Sequence, residues 1–186
     1  MFEALLAALS LVAISEFGDR SQLAALLLGA RYQSHHKKVF AGAILAFALL
    51  FLISVVVGSV MLSYIPENIV RAISSAAFIA MGLYVLLKRE EEKVTMKKDK
   101  EPFLASFSLI ALSEIGDKTQ IAIIFLAASF HDPLGTFIGA MIAETAMAGM
   151  AIFAGKKIAE RIKMHWIKYF SGVIFILLGF VSFLKS

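Results

Sequence analysis

The stretch Glu16-Phe17-Gly18-Asp19-Arg20-Ser21-Gln22 recurs 98 residues later as Glu114-Ile115-Gly116-Asp117-Lys118-Thr119-Gln120. Four of the seven positions are identical, and the Arg/Lys and Ser/Thr exchanges keep the chemical type. Each copy lies inside a long apolar segment. Charged side chains within a membrane span are costly, so they are rare and usually functional. The two copies therefore indicate a two-fold pathway for a cation.

The composition places the chain in the membrane class. Of the 186 residues, 60% are hydrophobic, which is far above the usage of soluble domains. The net charge of +4 does not indicate a nucleic-acid partner, because Lys and Arg lie between the apolar segments. Cysteine is absent, which excludes disulfides and thiolate metal sites. The start, Met1-Phe2-Glu3-Ala4, has no basic region, so a cleaved signal peptide is not expected.

Six apolar segments reach the ~20 residues that a helix needs to cross the hydrocarbon core. They cover residues 2–30, 39–64, 68–88, 102–130, 134–155 and 166–185. The first and fourth would exceed the bilayer thickness unless they are tilted or broken, since a helix rises ~1.5 Å per residue. Each carries its motif, with Gly18 or Gly116, near the middle. We predict an all-α integral membrane protein with six transmembrane helices.

The internal repeat extends beyond the motif. Gly42, Gly58, Ser74 and Gly82 recur 97 residues later as Gly139, Gly155, Ser171 and Gly179. Each half holds three spans, and an odd number of spans forces the second half into the opposite orientation. We therefore predict two inverted-topology three-helix repeats, 1–88 and 102–186, joined by a polar linker at 89–101.

The distribution of basic residues predicts the orientation in the membrane. Fourteen of the eighteen Lys and Arg residues lie in or beside the first, third and fifth connections. The other side holds only Arg71 and Lys185, and the motifs hold the remaining two. The positive-inside rule then places both termini outside and the central linker in the cytoplasm.

Each motif supplies three oxygen ligands and one base. These are Glu16, Asp19, Gln22 and the base Arg20 in the first copy, and Glu114, Asp117, Gln120 and the base Lys118 in the second. On one continuous helix the three ligands would form a polar stripe, and the base would meet the first acid at the i, i+4 spacing. Inverted repeats would bring the two stripes together, with the hydroxyls of Ser21 and Thr119 nearby.

This ligand set contains only oxygen. It suits calcium, manganese or magnesium, and it lacks the imidazole or thiolate that zinc and copper favour. The four histidines lie in or near connections and are interpreted as surface groups. Four carboxylates and two fixed cations sum to −2, which one divalent ion or two protons would neutralise. Competition between a metal ion and protons for one site is the simplest route to exchange.

Several residues keep a second interpretation. Buried acid–base pairs could only tie helices together, the Gln side chains could link helices, and the motif hydroxyls are more often bonded to backbone. The repeated glycines are interpreted as points of close helix packing. Glu144 lies within the fifth segment, where its counterpart is Phe47. It is either a proton relay or extra ligand, or a partner of Lys118 or of a backbone group.

The doubled Glu-x-Gly-Asp-(Lys/Arg)-(Ser/Thr)-Gln motif, on the first and fourth of six spans, resembles the Golgi-type calcium/manganese–proton exchangers, the type 2 calcium/cation antiporters. The resemblance covers nearly the whole chain. It implies a six-helix antiporter that moves Ca²⁺ or Mn²⁺ out of the cytosol against protons, without a resident cofactor. The acidic and Gln side chains of both motifs would form the cation site. The short chain resembles a prokaryotic member of the family, located in the cytoplasmic membrane. The sequence leaves open whether the protein forms a homo-oligomer.

Other function classes also stay open at this point. An exporter of an organic cation, such as a basic amino acid, could use the same acidic site on a related scaffold. An intramembrane enzyme is not predicted, because the motif lacks a clear nucleophile with an adjacent base. A purely structural membrane subunit would not need the excess negative charge of two motifs.

Overall fold

The computed structural model describes residues 2–17, 19–87 and 101–154, together with residues 173, 176 and 177. These residues form seven α-helices and one short 3-10 turn, and they contain no strand. The helices are α1 (Phe2–Glu16), α2 (Arg20–Arg31), α3 (His36–Tyr64), α4 (Glu67–Leu87), α5 (Pro102–Glu114), α6 (Lys118–Phe130) and α7 (Pro133–Ala154). The all-α prediction is confirmed. Gly155, nearly all of the linker and most of the sixth apolar segment lie outside the described residues.

The first and fourth apolar segments are broken helices. The first is interrupted between Glu16 and Arg20, and the fourth between Glu114 and Lys118. At the second break Gly116 has a φ of +76°, a left-handed conformation that glycine adopts without steric penalty. The four half-helices are 12 to 15 residues long, so each is too short to cross the hydrocarbon core alone.

Two described helices are long and apolar enough to cross a membrane. They lie within 33–61 and 133–153, with mean hydropathies of 2.8 and 1.6. α3 is apolar on all sides: Phe47 is buried, whereas Ile53 and Val56 are 54% and 50% exposed. An exposed apolar face of this kind needs another apolar surface or lipid to cover it.

Helix contacts occur in matching pairs across the repeat. α1 packs on α7 as α5 packs on α3, and α2 packs on α7 as α6 packs on α3. α1 also contacts α6 as α5 contacts α2, and the two long helices α3 and α7 contact each other. Each broken helix therefore packs on the long helix of the other half, so that the halves interlock.

Glycines bring these helices into backbone contact at equivalent places. A Cβ atom at Gly42 would lie 2.4 Å from the carbonyl oxygen of Phe103, and one at Gly139 would lie 2.2 Å from that of Leu5. Gly42 and Gly139 are repeat mates, and so are Phe103 and Leu5. Gly58 makes a similar approach to the backbone of α6. The predicted role of these glycines in close helix packing is confirmed.

A side-chain cap begins the long helix of the second half. Asp132 accepts the Gly135 N–H at 2.9 Å through Oδ1, and the Thr136 hydroxyl donates to the Asp132 carbonyl oxygen at 2.9 Å. The hydrogen bond from Gly135 holds the pKa of the Asp132 carboxyl below its usual value. Pro133 follows as the first helical residue, where its missing N–H costs nothing.

Gly139→Ala is expected to destabilise the protein by about 1–3 kcal/mol, because the new methyl group would overlap the Leu5 carbonyl group. Gly149→Ala on the same helix is the control, since its Cβ would lie 3.6 Å from the nearest atom of Phe40. Thermal unfolding in detergent measures both variants. An equal loss of stability in the two would contradict the packing role of Gly139.

Candidate cation-binding site

The described residues of the two motif turns form the same backbone hydrogen bonds. The Asp19 N–H donates to the Glu16 carbonyl oxygen at 3.1 Å, and the Asp117 N–H donates to that of Glu114 at 3.0 Å. The two Asp carbonyl oxygens then accept hydrogen bonds from the first turns of α2 and α6, at 3.0 and 3.2 Å. Each Asp thus occupies an N-cap position, where the positive end of the helix dipole favours a carboxylate.

The prediction of a polar stripe on one continuous helix is wrong. Glu16 ends α1 while Asp19 precedes α2, and Glu114 ends α5 while Asp117 precedes α6. In the second motif the left-handed Gly116 and the capping Asp offer the backbone an alternative to continuing the helix. In the second motif the predicted i, i+4 pairing of the base Lys118 with the first acid, Glu114, is wrong as well. Lys118 Nζ instead pairs with Asp19 of the other motif and lies 3.5 Å from Asp117 Oδ2. The side chain of Arg20 is outside the described part of the chain.

Glu16 is buried and links the two motifs. Its Oε2 accepts the Ser21 hydroxyl at 2.7 Å, and its Oε1 accepts the Thr119 hydroxyl from the other half. Both hydroxyls donate to a carboxylate, so the interpretation that they bond to backbone is wrong. Ser15 Oγ lies 3.2 Å from Thr119 Oγ1 and was not predicted as a site residue. The available signal was its repeat mate, Ser113.

Two more carboxyl groups are buried in this region. Glu114 and Glu144 are each 3% exposed. Within the described residues, the Oε2 atom of each has no hydrogen-bond partner. Glu144 interacts electrostatically with Glu16, Glu114 and Lys118, so the fifth span does bring its acid to the motifs. A buried carboxylate oxygen without a donor is unfavourable, which suits these two groups to a cation or a proton.

Three carboxylates from both motifs converge. Glu16, Asp19 and Asp117 each offer an oxygen, and the three oxygens lie within 4.8 Å of one another. The side chains of Asp19 and Asp117 are 22% and 12% exposed, whereas Glu16 is buried. The cluster of three carboxylates is therefore partly accessible at the two Asp side chains and buried at Glu16. Oxygens at this spacing can share one hard cation with ligand distances of about 2.0–2.6 Å.

The two motif amides are those of Gln120 and Gln22. Gln120 Oε1 accepts the Gly116 N–H at 2.8 Å, which closes the break in its own helix. A carbonyl oxygen has two lone pairs, so this hydrogen bond leaves one for a ligand. Gln22 is partly buried at the equivalent position of the first motif.

The histidines for which the structure gives positions agree with the surface interpretation. His35 and His131 are exposed, His36 is half-buried with its Nε2 2.9 Å from the Gly29 carbonyl oxygen, and His165 lies outside the described residues. The described part of the site thus consists of carboxylate, hydroxyl and amide oxygens and one lysine side chain.

Comparison with known proteins places the chain in a family. A family model described as "Divalent cation/proton antiporter GDT1" matches residues 4–93 and 102–186. A Vibrio cholerae protein named "Putative manganese exporter" is 28% identical, over 92% of this chain and 86% of its own length. A GDT1-like protein from Synechocystis is 29% identical over 98% and 97%, and GDT1-like protein 5 from Arabidopsis thaliana is 27% identical over 95% and 93%. No solved structure matches the chain.

The family match covers both motifs and the seven described helices, apart from the first two residues of α1. The resemblance inferred from the doubled motif is therefore confirmed, and the chain belongs to the GDT1 family of divalent cation/proton antiporters.

Proposed function

We propose that the chain exports Mn²⁺ or Ca²⁺ from the cytosol in exchange for protons, by alternating access to the acidic site. The family and the name of the Vibrio cholerae relative support a divalent metal ion over an organic cation. The observation that carries the proposal is the convergence of Glu16, Asp19 and Asp117, whose oxygens lie within 4.8 Å. Hard divalent cations favour such a set of oxygens.

The proposed architecture is six spans in two inverted repeats, 1–88 and 102–186, with the linker at 89–101 between them. The matched helix contacts support it, since an inverted repeat predicts an equivalent partner for every contact between halves. The mated contacts of Gly42 and Gly139 support it at the level of single residues.

The proposed location is a prokaryotic cytoplasmic membrane, with both termini outside and the linker in the cytoplasm. Lys38 Nζ lies 3.2 Å from Glu101 Oε1, which joins the first connection to the end of the linker. This ion pair supports placing the two connections on the same side, as the distribution of basic residues predicts.

In the proposed mechanism, each repeat supplies one half of a single cation site. Glu16, Asp19, Glu114 and Asp117 bind the dehydrated ion, and the amide oxygens of Gln22 and Gln120 complete the shell. These half-sites lie at breaks in transmembrane helices, where irregular backbone can face a cavity. Rocking of one repeat against the other would open the site to each side in turn. On the return step two protons, bound by acids of this region, would replace the two positive charges of the ion.

Glu144 is proposed to carry one of the exchanged protons. It is buried, its Oε2 atom lacks a hydrogen-bond partner among the described residues, and it interacts electrostatically with Glu16. Its repeat mate Phe47 is a buried apolar side chain, so this acid has no two-fold equivalent. Such an asymmetric acid can exchange a proton without belonging to either motif.

Asp19→Asn and Asp117→Asn are each expected to lower Mn²⁺ and Ca²⁺ flux at least about 100-fold, because each removes a charged ligand from one shared site. The measurement is metal flux into proteoliposomes under an imposed pH gradient. Glu3→Gln, which removes an exposed carboxylate near the start of α1, is the control and should transport normally. Full transport by either Asn variant would contradict the ligand assignment, and no flux in the native protein would contradict the proposed function.

Glu144→Gln is expected to keep metal binding but to reduce the number of protons moved per metal ion, because the amide cannot carry a proton across. Simultaneous recording of Mn²⁺ uptake and internal pH in proteoliposomes gives this ratio. The Glu3→Gln protein again provides the reference. An unchanged ratio in Glu144→Gln would exclude Glu144 as a proton carrier.

A further inference from the structure

The ammonium group of Lys118 lies among the carboxylates of the candidate cation site. Its Nζ pairs with Asp19 from the first motif and lies 3.5 Å from Asp117 Oδ2. These are two of the three carboxylates that form the convergent oxygen group. The side chain is only 14% exposed, and Glu16 and Glu144 attract it electrostatically as well. The ammonium group thus contacts the acids of both halves.

We propose that Lys118 is a tethered competitor of the transported ion. In the metal-free site its ammonium group neutralises the two Asp carboxylates, and an entering divalent ion displaces it. This inference rests on the proposed function, because it takes the acidic group to be the transport site. A lysine side chain suits the task, since it is a compact point charge on a flexible stem with three donors.

Competition between Lys118 and the metal ion would help a transporter to release the ion. Empty carboxylates in a partly buried site would repel one another and bind a divalent ion too tightly to release it. Transport requires binding that is favourable enough for entry and weak enough for exit. A cation of lower charge, held permanently beside the site, weakens metal binding and stabilises the metal-free acids.

A purely structural ion pair would behave differently when its charge is removed. If Lys118 only tied the two halves together, its loss would loosen the carboxylates and weaken metal binding. If it competes with the metal ion, its loss strengthens metal binding and slows release. The direction of the change in affinity therefore separates the two roles.

The test compares Lys118→Gln, Lys118→Arg and Lys38→Gln in the full chain, purified in detergent. Lys38→Gln is the matched control, because it removes an ion pair with Glu101 far from the motifs in sequence. The dissociation constant of Mn²⁺ is expected to fall about tenfold or more in Lys118→Gln. It should stay near the native value in Lys118→Arg, which keeps the charge, and in Lys38→Gln. In proteoliposomes, KM and kcat should both fall in Lys118→Gln.

Equal or weaker Mn²⁺ binding by folded Lys118→Gln overturns the inference. If that variant is folded but too unstable for equilibrium binding, its melting temperature is measured with and without Mn²⁺, and the rise should exceed that of the native protein. An equal or smaller rise also overturns the inference. Native protein that binds neither Mn²⁺ nor Ca²⁺ overturns the proposed function itself, which distinguishes that failure from the failure of the competitor role.

Discussion

The buried carboxylate of Glu16 is the group on which the arrangement of this protein depends. A carboxylate removed from water is costly unless donors or cations surround it. Glu16 meets that requirement with Ser21 from its own half and Thr119 from the other. Because it ends α1 and contacts residues at the starts of α2 and α6, it joins three half-helices at one point. Satisfying this one side chain therefore takes residues from both motifs.

The surrounding packing explains how such a polar centre can exist within apolar helices. The long helices α3 and α7 contact each other and cover the broken helices of the opposite halves. Gly42 and Gly139 allow backbones to touch at equivalent places in both halves. These contacts form a close-packed frame, while the breaks leave backbone and carboxylates available at the centre. The matched contacts and the acidic junction between them suit the proposed pathway, which would open to each side in turn.

Much of the fold could be predicted from the sequence, because segment length, the repeated glycines and the duplicated motif are local signals. Segment length indicated that the first and fourth helices are tilted or broken, and the glycine in each motif indicated where a break would lie. The contacts of Lys118 and Thr119 could not, since both reach across to the other motif and depend on tertiary packing. The prediction of a helical stripe failed because it assumed a continuous helix, whereas one helix ends at each motif Glu and the next begins after an N-cap Asp. Glu144 stands out in the sequence as an acid in an apolar span, with Lys118 as a possible partner. Its interaction with Glu16 and Glu114 was not predictable, because it depends on tertiary packing.

The central claim is that two half-sites form one cation site. Equilibrium binding of Mn²⁺ to the purified chain, with the number of ions counted per chain, tests it most directly. We predict one ion per chain, and loss of that ion when Glu16 or its repeat mate Glu114 is replaced by Gln. Two ions per chain, each lost separately in one variant and retained in the other, would show two independent sites and contradict the account.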